Sequence, residues 1–260
     1  MKRRRWLRQV ILWGAILAAG YYALQWMRAH PQHVPFAPLK LAHPVGWATQ
    51  GKLTALGEDF AECQTILREG GVRFEALPPK GTGSCRAEQQ TRIRRQNAFP
   101  VALTPGDVAP SCPVSTALVI WQREVVAPAA QAHFGRKVTA LRHLGSYNCR
   151  NIARSTYRSE HATGNAIDIA GFTLEGGKVI SVLKDWDSND PAPALSCAKC
   201  VTAAANYFRP RFLPIIMPTM PIISISTWHS APQIMACVGE EYLTDYQIYT
   251  IFPRSSGTQH

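Results

Sequence analysis

The chain has 260 residues, 46% hydrophobic and 17% charged. Those proportions exclude a disordered polymer and allow one or two domains with a real core. The net charge of +11 suggests nucleic-acid binding, but Lys2, Arg3, Arg4, Arg5 and Arg8 concentrate five of the cations beside an apolar run. That placement argues for a membrane role and against a nucleic-acid partner.

The apolar run, Val10 to Met27, contains no charged residue. At about 1.5 Å per residue it nearly crosses a hydrocarbon core of about 30 Å, and Arg8 and Arg28 can snorkel to close the gap. The basic cluster predicts a cytoplasmic N-terminus, with Tyr21, Tyr22 and Trp26 at the outer interface. The expected protein is therefore single-pass in the inner (cytoplasmic) membrane, with its C-terminal domain in the periplasm. Ala23 is followed by bulky Leu24, Gln25 and Trp26 rather than by an A-x-A cleavage site, so residues 1–28 read as an uncleaved anchor.

Residues 29–50 follow as a Pro-rich spacer. His30 to Gly46 holds four prolines and reads as extended chain of polyproline character that lifts the domain off the membrane, its three histidines solvated. The domain proper is assigned to 51–190. Apolar spacing predicts a helix over Leu53 to Leu67, a strand over Val72 to Leu77 and a turn over Lys80 to Gly83. A helix is expected from Cys112 to Val126, with Pro113 in its first turn. Pro128 should break or kink it, with a restart over Ala129 to Phe134 that ends at Gly135. Val138 to Leu144 reads as a strand running into a Gly145-Ser146-Tyr147 turn. Helices and strands without regular alternation give the class α+β.

Seven cysteines, Cys63, Cys85, Cys112, Cys149, Cys197, Cys200 and Cys237, predict some disulfide pairing in an oxidising compartment. Connectivity stays open, with Cys63 to Cys85 the first expected pair.

Chemistry concentrates in HATGNAID, residues 161–168. Gly164 permits a tight backbone, and Ala166 to Ala170 alternates like a strand entering a core. Such a loop and strand can bring His161 and Asp168 onto one cation. Zinc in catalytic sites takes ligands of this kind, three from the protein with one position left for water, and activates that water for attack on a carbonyl. On spacing alone, a surface pair or hydrogen-bonded turn is the commoner meaning.

The string SEHATGNAID, Ser159 to Asp168, is similar to the S-x-H-x-x-G-x-A-x-D signature of the LAS-type zinc peptidases, which include D-Ala-D-Ala carboxypeptidases and peptidoglycan endopeptidases. With SYNCR at Ser146 to Arg150, SEHATGNAIDIAGF at Ser159 to Phe172 and Asp185-Trp186, the chain resembles the bacterial extensin-like C-terminal domain family from about Cys63 to about Asp190. The resemblance implies a small antiparallel sheet holding the metal, His161 and Asp168 as two zinc ligands, and peptidoglycan peptides as substrate. It implies that Arg150 receives a substrate carboxylate and that Ser159 lines the same pocket. The structural alternatives are a loop-pinning salt bridge for Arg150 and a local turn bond for Ser159. Tyr147 reads as core packing rather than as a catalytic acid. The competing function is a non-catalytic envelope module that binds peptidoglycan through the same cleft.

Both families complete the site with a late H-x-H motif, of the form D-H-F-H-L-D in extensin-like domains, and this chain lacks it. Phe212 to Thr227 reads FLPIIMPTMPIISIST, which has no element pattern. If the third base of each codon joins the first two of the next, Leu213 to His229 permits S-D-Y-N-A-D-H-A-D-H-F-H-L-D-M-A. Met217-Pro218 and Met220-Pro221 are each forced to alanine. Pro193 to Pro210 likewise permits R-A-F-L-R-E-V-R-D-G-G-C-K-L-F-S-T. A frameshift near Asp190 to Pro193 is therefore expected, with 191–260 a poorly folded out-of-frame tail. The Cys197/Cys200 pair, His229 and His260 then carry no chemistry. The intact family form should bind zinc tightly, and this chain weakly or not at all, without peptidase activity.

Overall fold

The computed structural model describes residues 2–152, 155–185, 223–228 and 231–233. Helix α1 (Lys2–Ala29) has no acidic residue in its first turn and carries Arg28 in its last. Its candidate span, Arg3–Ala29, is long and apolar enough to cross a membrane, and none of its apolar window is buried. Trp13, Ile16, Leu17 and Tyr22 face outward around it, and an apolar helix bare on all sides needs an apolar surrounding.

The segment after α1 is not an extended spacer. A 3-10 turn (Pro31–His33) opens it, and Val34, Leu39 and Leu41 are buried. Lys52 Nζ donates to the Pro31 carbonyl at 2.7 Å, and the Arg123 guanidinium donates to the carbonyls of Leu41 and His43. The prolines stiffen the chain, but the apolar residues among them give it a face to bury.

The single helix expected over Leu53 to Leu67 is two, α2 (Thr49–Ala55) and α3 (Phe60–Glu69). Asp59 makes the break by capping α3, its Oδ1 accepting from Glu62 N at 2.8 Å. A hairpin follows, with β1 (Phe74–Ala76) antiparallel to β2 (Thr91–Ile93), and then β3 (Ala102–Thr104). Helix α4 (Cys112–Trp121) is buried at every residue. A helix apolar all round belongs in the middle of a layered domain. It contacts α2 and α3 as well as β2 and the main sheet.

The regular helix is interrupted ahead of Pro128, as expected, though by a π segment rather than by a break in the chain. A π segment (Gln122–Val126) joins α4 to α5 (Ala127–Phe134), and Ala127 N bonds to the Gln122 carbonyl five residues back. The extra residue in that turn accommodates the proline ring, which then lies in the first turn of α5. Gly135, at φ 59°, closes α5 in the left-handed region as expected.

The main sheet contains β3, β4 (Val138–His143), β5 (Ala166–Leu174), β6 (Val179–Ser181), β7 (Ile223–Trp228) and β8 (Ala231–Gln233). Its order is β3-β4-β5-β7-β8, with β6 also on β5. All pairings are antiparallel except β3 with β4. Strand β5 is central: Gly171 to Thr173 pair with β6, and Ala166 to Ile169 pair with β7. Trp121 meets Phe172 of β5 with ring centroids 5.9 Å apart. A short helix, α6 (Val182–Asp185), follows β6. The architecture is α+β.

The disulfides correct the expected pairing. Cys63 bonds to Cys112, and Cys85 to Cys149. Cys63 lies on the buried face of α3 that packs against the start of α4. Cys85 sits in a 3-10 turn (Gly83–Cys85) across from the loop after β4. The two cysteines first expected to pair therefore belong to different layers. Cys197, Cys200 and Cys237 lie outside the described residues.

Candidate functional site

His161 lies in a 3-10 turn (Glu160–Thr163) between a Ser159 cap and Gly164, whose φ of 71° lets the chain reverse into β5. Ser159 is buried, and its hydroxyl accepts from His161 N at 3.4 Å. It acts as a turn cap here, the local role weighed against pocket lining. Asp168 stands on β5, where its carbonyl accepts from Leu144 N and its N–H donates to the Gly145 carbonyl. The end of β4 is thereby held against the carboxylate-bearing residue.

The imidazole and the carboxylate meet. His161 Nε2 is 3.2 Å from Asp168 Oδ1, with side chains 9% and 20% exposed. His161 Nδ1 is 2.6 Å from the Ser146 carbonyl. A carbonyl only accepts, so Nδ1 carries the proton, and a neutral ring would turn the Nε2 lone pair toward a second acceptor. That repulsion is relieved by a cation between the two atoms, either a second proton or a metal. Burial by itself lowers the His161 pKa, but the hydrogen bond and charge of Asp168, with the Ser146 carbonyl, overcome it. The net pKa lies above 6.5, and the Arg150 charge opposes the rise.

The spacing also suits a metal. Two ligand atoms about 2.0–2.1 Å from a tetrahedral zinc are about 3.3 Å apart, close to the observed 3.2 Å. The Ser146 carbonyl on the far ring nitrogen is the kind of second contact that orients a ligating histidine. Among the described residues no third His, Cys, Asp or Glu joins the pair.

The supporting loop was not legible as a framework in the sequence. Ser146 is buried, and its hydroxyl donates to the carbonyls of Ala166 and Gly164 at 2.6 and 3.1 Å. Ser111 N donates to the same Gly164 carbonyl, and Ser111 Oγ donates to Asn165 Oδ1 at 2.9 Å. Asn148 N donates to the His161 carbonyl at 2.8 Å. Ser146 stood in the quoted SYNCR string, but nothing in that string signals that its carbonyl meets an imidazole. Tyr147 is half-buried at the loop surface and its hydroxyl donates to the Cys85 carbonyl at 2.9 Å. Gly81 makes room for that bond, because a Cβ there would come within 2.3 Å of both the tyrosine hydroxyl and the Cys85 oxygen.

Arg150 is exposed and forms no salt bridge in the described structure; its Nη1 reaches the Asn151 carbonyl at 3.4 Å. It is near enough for its charge to act on His161. Beside the pair, a cavity of about 710 Å³ is lined by Lys80, Arg92, Asp107, His143, Ser146 and Tyr147, among others. His143 Nε2 donates to the Pro105 carbonyl and Nδ1 accepts from Gly145 N. Both ring nitrogens are used, and burial keeps this ring's pKa below 6.5.

A profile of the extensin-like protein C-terminus family matches residues 61–214, more than half of the chain. The chain belongs to that family. The match starts close to Cys63 and continues beyond Asp190, the limit of the resemblance given above. Searches of curated proteins and of solved structures return no significant match. The family domain and the exposed apolar helix α1 together fit a membrane-anchored envelope protein.

Proposed function

We propose that the intact family form of this protein is a zinc-dependent hydrolase of peptidoglycan peptides, and that this chain carries an incomplete copy of its site. The observation that carries the reading is the facing pair, His161 Nε2 and Asp168 Oδ1 at 3.2 Å. Zinc held there supplies Lewis-acid chemistry for amide hydrolysis. His161 and Asp168 hold the ion, the Ser146 carbonyl fixes the imidazole tautomer, and exposed Arg150 receives a peptide carboxylate. The domain works in the periplasm, held to the inner membrane by α1, with the N-terminal arginines on the cytoplasmic side.

The third ligand belongs, on this reading, to a sequence read out of frame after about Asp190. What supports this is the place of β7. It pairs with the Asp168 half of β5, with Ser224 opposite Asp168, and the alternative frame puts its H-x-H across codons 222–225. Because the family match reaches residue 214, resequencing must cover codons 186–229 rather than the suspected junction alone.

The deciding measurement is zinc content after dialysis. The chain as written should retain little, the frame-restored protein about one equivalent, and His161→Ala in the restored protein should lose it. Stoichiometric zinc in the unrepaired chain that depends on His161 would mean either that His229 supplies the third ligand or that the frameshift argument is wrong. A restored protein without zinc would leave the non-catalytic peptidoglycan-binding module.

A further inference from the structure

We infer that the folded segment between α1 and the domain is a membrane seat, with Phe36 and Trp47 inserted in the lipid interface. The inference rests on α1 being a membrane anchor. The junction has no slack. Trp26, in the last turns of α1, stacks on His30 and His33 with centroids 4.9 and 5.9 Å away, and His30 N donates to the Trp26 carbonyl. His33 Nδ1 accepts from Trp47 N at 3.4 Å, and Ala48 N donates to the Gln32 carbonyl at 3.3 Å. Gly46 is pressed so closely on Gln32 that a Cβ would come within 2.5 Å of its carbonyl oxygen. With Lys52 on Pro31 and Arg123 on Leu41 and His43, the end of α1 is tied directly to the body of the domain.

At this junction two large apolar side chains are left in the open. Phe36 is 82% exposed and Trp47 is 65% exposed, while Val34 beside them is buried. Phe36 is three positions after His33, so their Cα atoms are at most about 11 Å apart. Helix α1 has 28 residues, and at about 1.5 Å each it exceeds a core of about 30 Å. Its Trp26 end therefore reaches the interface, where aromatic rings concentrate. Arg28 and Lys40, both exposed, lie near the rings in sequence and can meet lipid phosphates. The lipid that surrounds α1 is thus the surface nearest to Phe36 and Trp47.

The test is photo-crosslinking of the full chain in phosphatidylethanolamine/phosphatidylglycerol vesicles. Benzoylphenylalanine replaces Trp13, Phe36, Trp47 or Tyr157 in turn. Tyr157 is 76% exposed on the loop between Arg150 and Arg158. Positions 36 and 47 should yield lipid adducts about tenfold above position 157, approaching the yield at position 13. Lipid adducts at 13 with none at 36 and 47 would overturn the seat while leaving the anchor in place. Adducts to protein at 36 and 47 would do so in favour of a protein partner. Equal lipid labelling at 157 would also overturn it, and no lipid at 13 would remove the anchor reading itself.

Discussion

The Ser146 carbonyl oxygen accepts the Nδ1 proton of His161 at 2.6 Å, and that bond determines what the histidine can do on its other side. With Nδ1 committed, Nε2 must share a cation with Asp168. In the metal-free protein a proton takes that place at pH below the folded pKa of His161, which burial lowers but Asp168 and the Ser146 carbonyl carry above 6.5. The folded state then binds more protons than the unfolded state. The pair's contribution is complete below about pH 6.5 and is lost as pH rises through the folded pKa. An NMR titration of the metal-free chain should show His161 titrating above 6.5. Asp168→Asn should bring it below 6.5, because burial then dominates, and should flatten the pH dependence of stability in this window.

Arg150 offers a separate check on the electrostatics. Its charge lowers the His161 pKa, so Arg150→Ala should raise that pKa further. Because the side chain is exposed, stability should change by no more than about 0.5 kcal/mol. If Arg150 also receives a substrate carboxylate, the frame-restored enzyme should lose affinity for acidic peptide ends in the same variant. An unchanged His161 titration would show that the arginine stands too far away to matter.

Ser146→Ala tests the loop. The hydroxyl serves two carbonyls beside the turn that carries His161; its loss takes this donor from the Ala166 carbonyl, while the Gly164 carbonyl keeps Ser111 N. Urea denaturation should show a loss of about 1–3 kcal/mol. A neutral result would mean that the two carbonyls find other donors and that the Cys85–Cys149 bond and the remaining hydrogen bonds hold the loop without Ser146.

Peptide mapping without reduction should recover Cys63 with Cys112 and Cys85 with Cys149. Replacing either pair by serine should cost roughly 2–5 kcal/mol. The two losses should differ in kind. Without Cys85–Cys149 the His161 resonance should broaden or shift, whereas losing Cys63–Cys112 should destabilise the helical layer and leave that resonance in place. A Cys63–Cys85 peptide would overturn the assignment.

The local geometry of the site was legible because its signals are local. Gly164 between a histidine and an alternating strand specifies a turn into β5, and the structure has it. Gly135 ends α5 for the same kind of reason. The partners of that turn were not legible. Ser146, Ser111 and Asn148 reach it from other parts of the chain, and no periodicity records which distant backbone groups will meet. The disulfide pairing is not legible for a related reason, since a short loop is an entropic preference and cannot say which faces of two elements point together. At the spacer, four prolines outweighed three buried apolar residues, Val34, Leu39 and Leu41. Pro128 marks the interruption between α4 and α5, but its form, a π turn, has no local signature.

The two partners of β5 on one edge come from opposite ends of a long interval. Its Gly171–Thr173 half is covered by β6, only a few residues further along, while Ala166–Ile169 waits for residues 223–226. During synthesis the site-bearing half of the strand therefore emerges with an open row of amide groups, flanked by buried Ile167 and Ile169, well before its neighbour is made. An exposed edge of that kind is a template for another chain. A protein truncated after Asp185 should accordingly self-associate through Ala166–Ile169, and a proline at one of those positions should suppress the association.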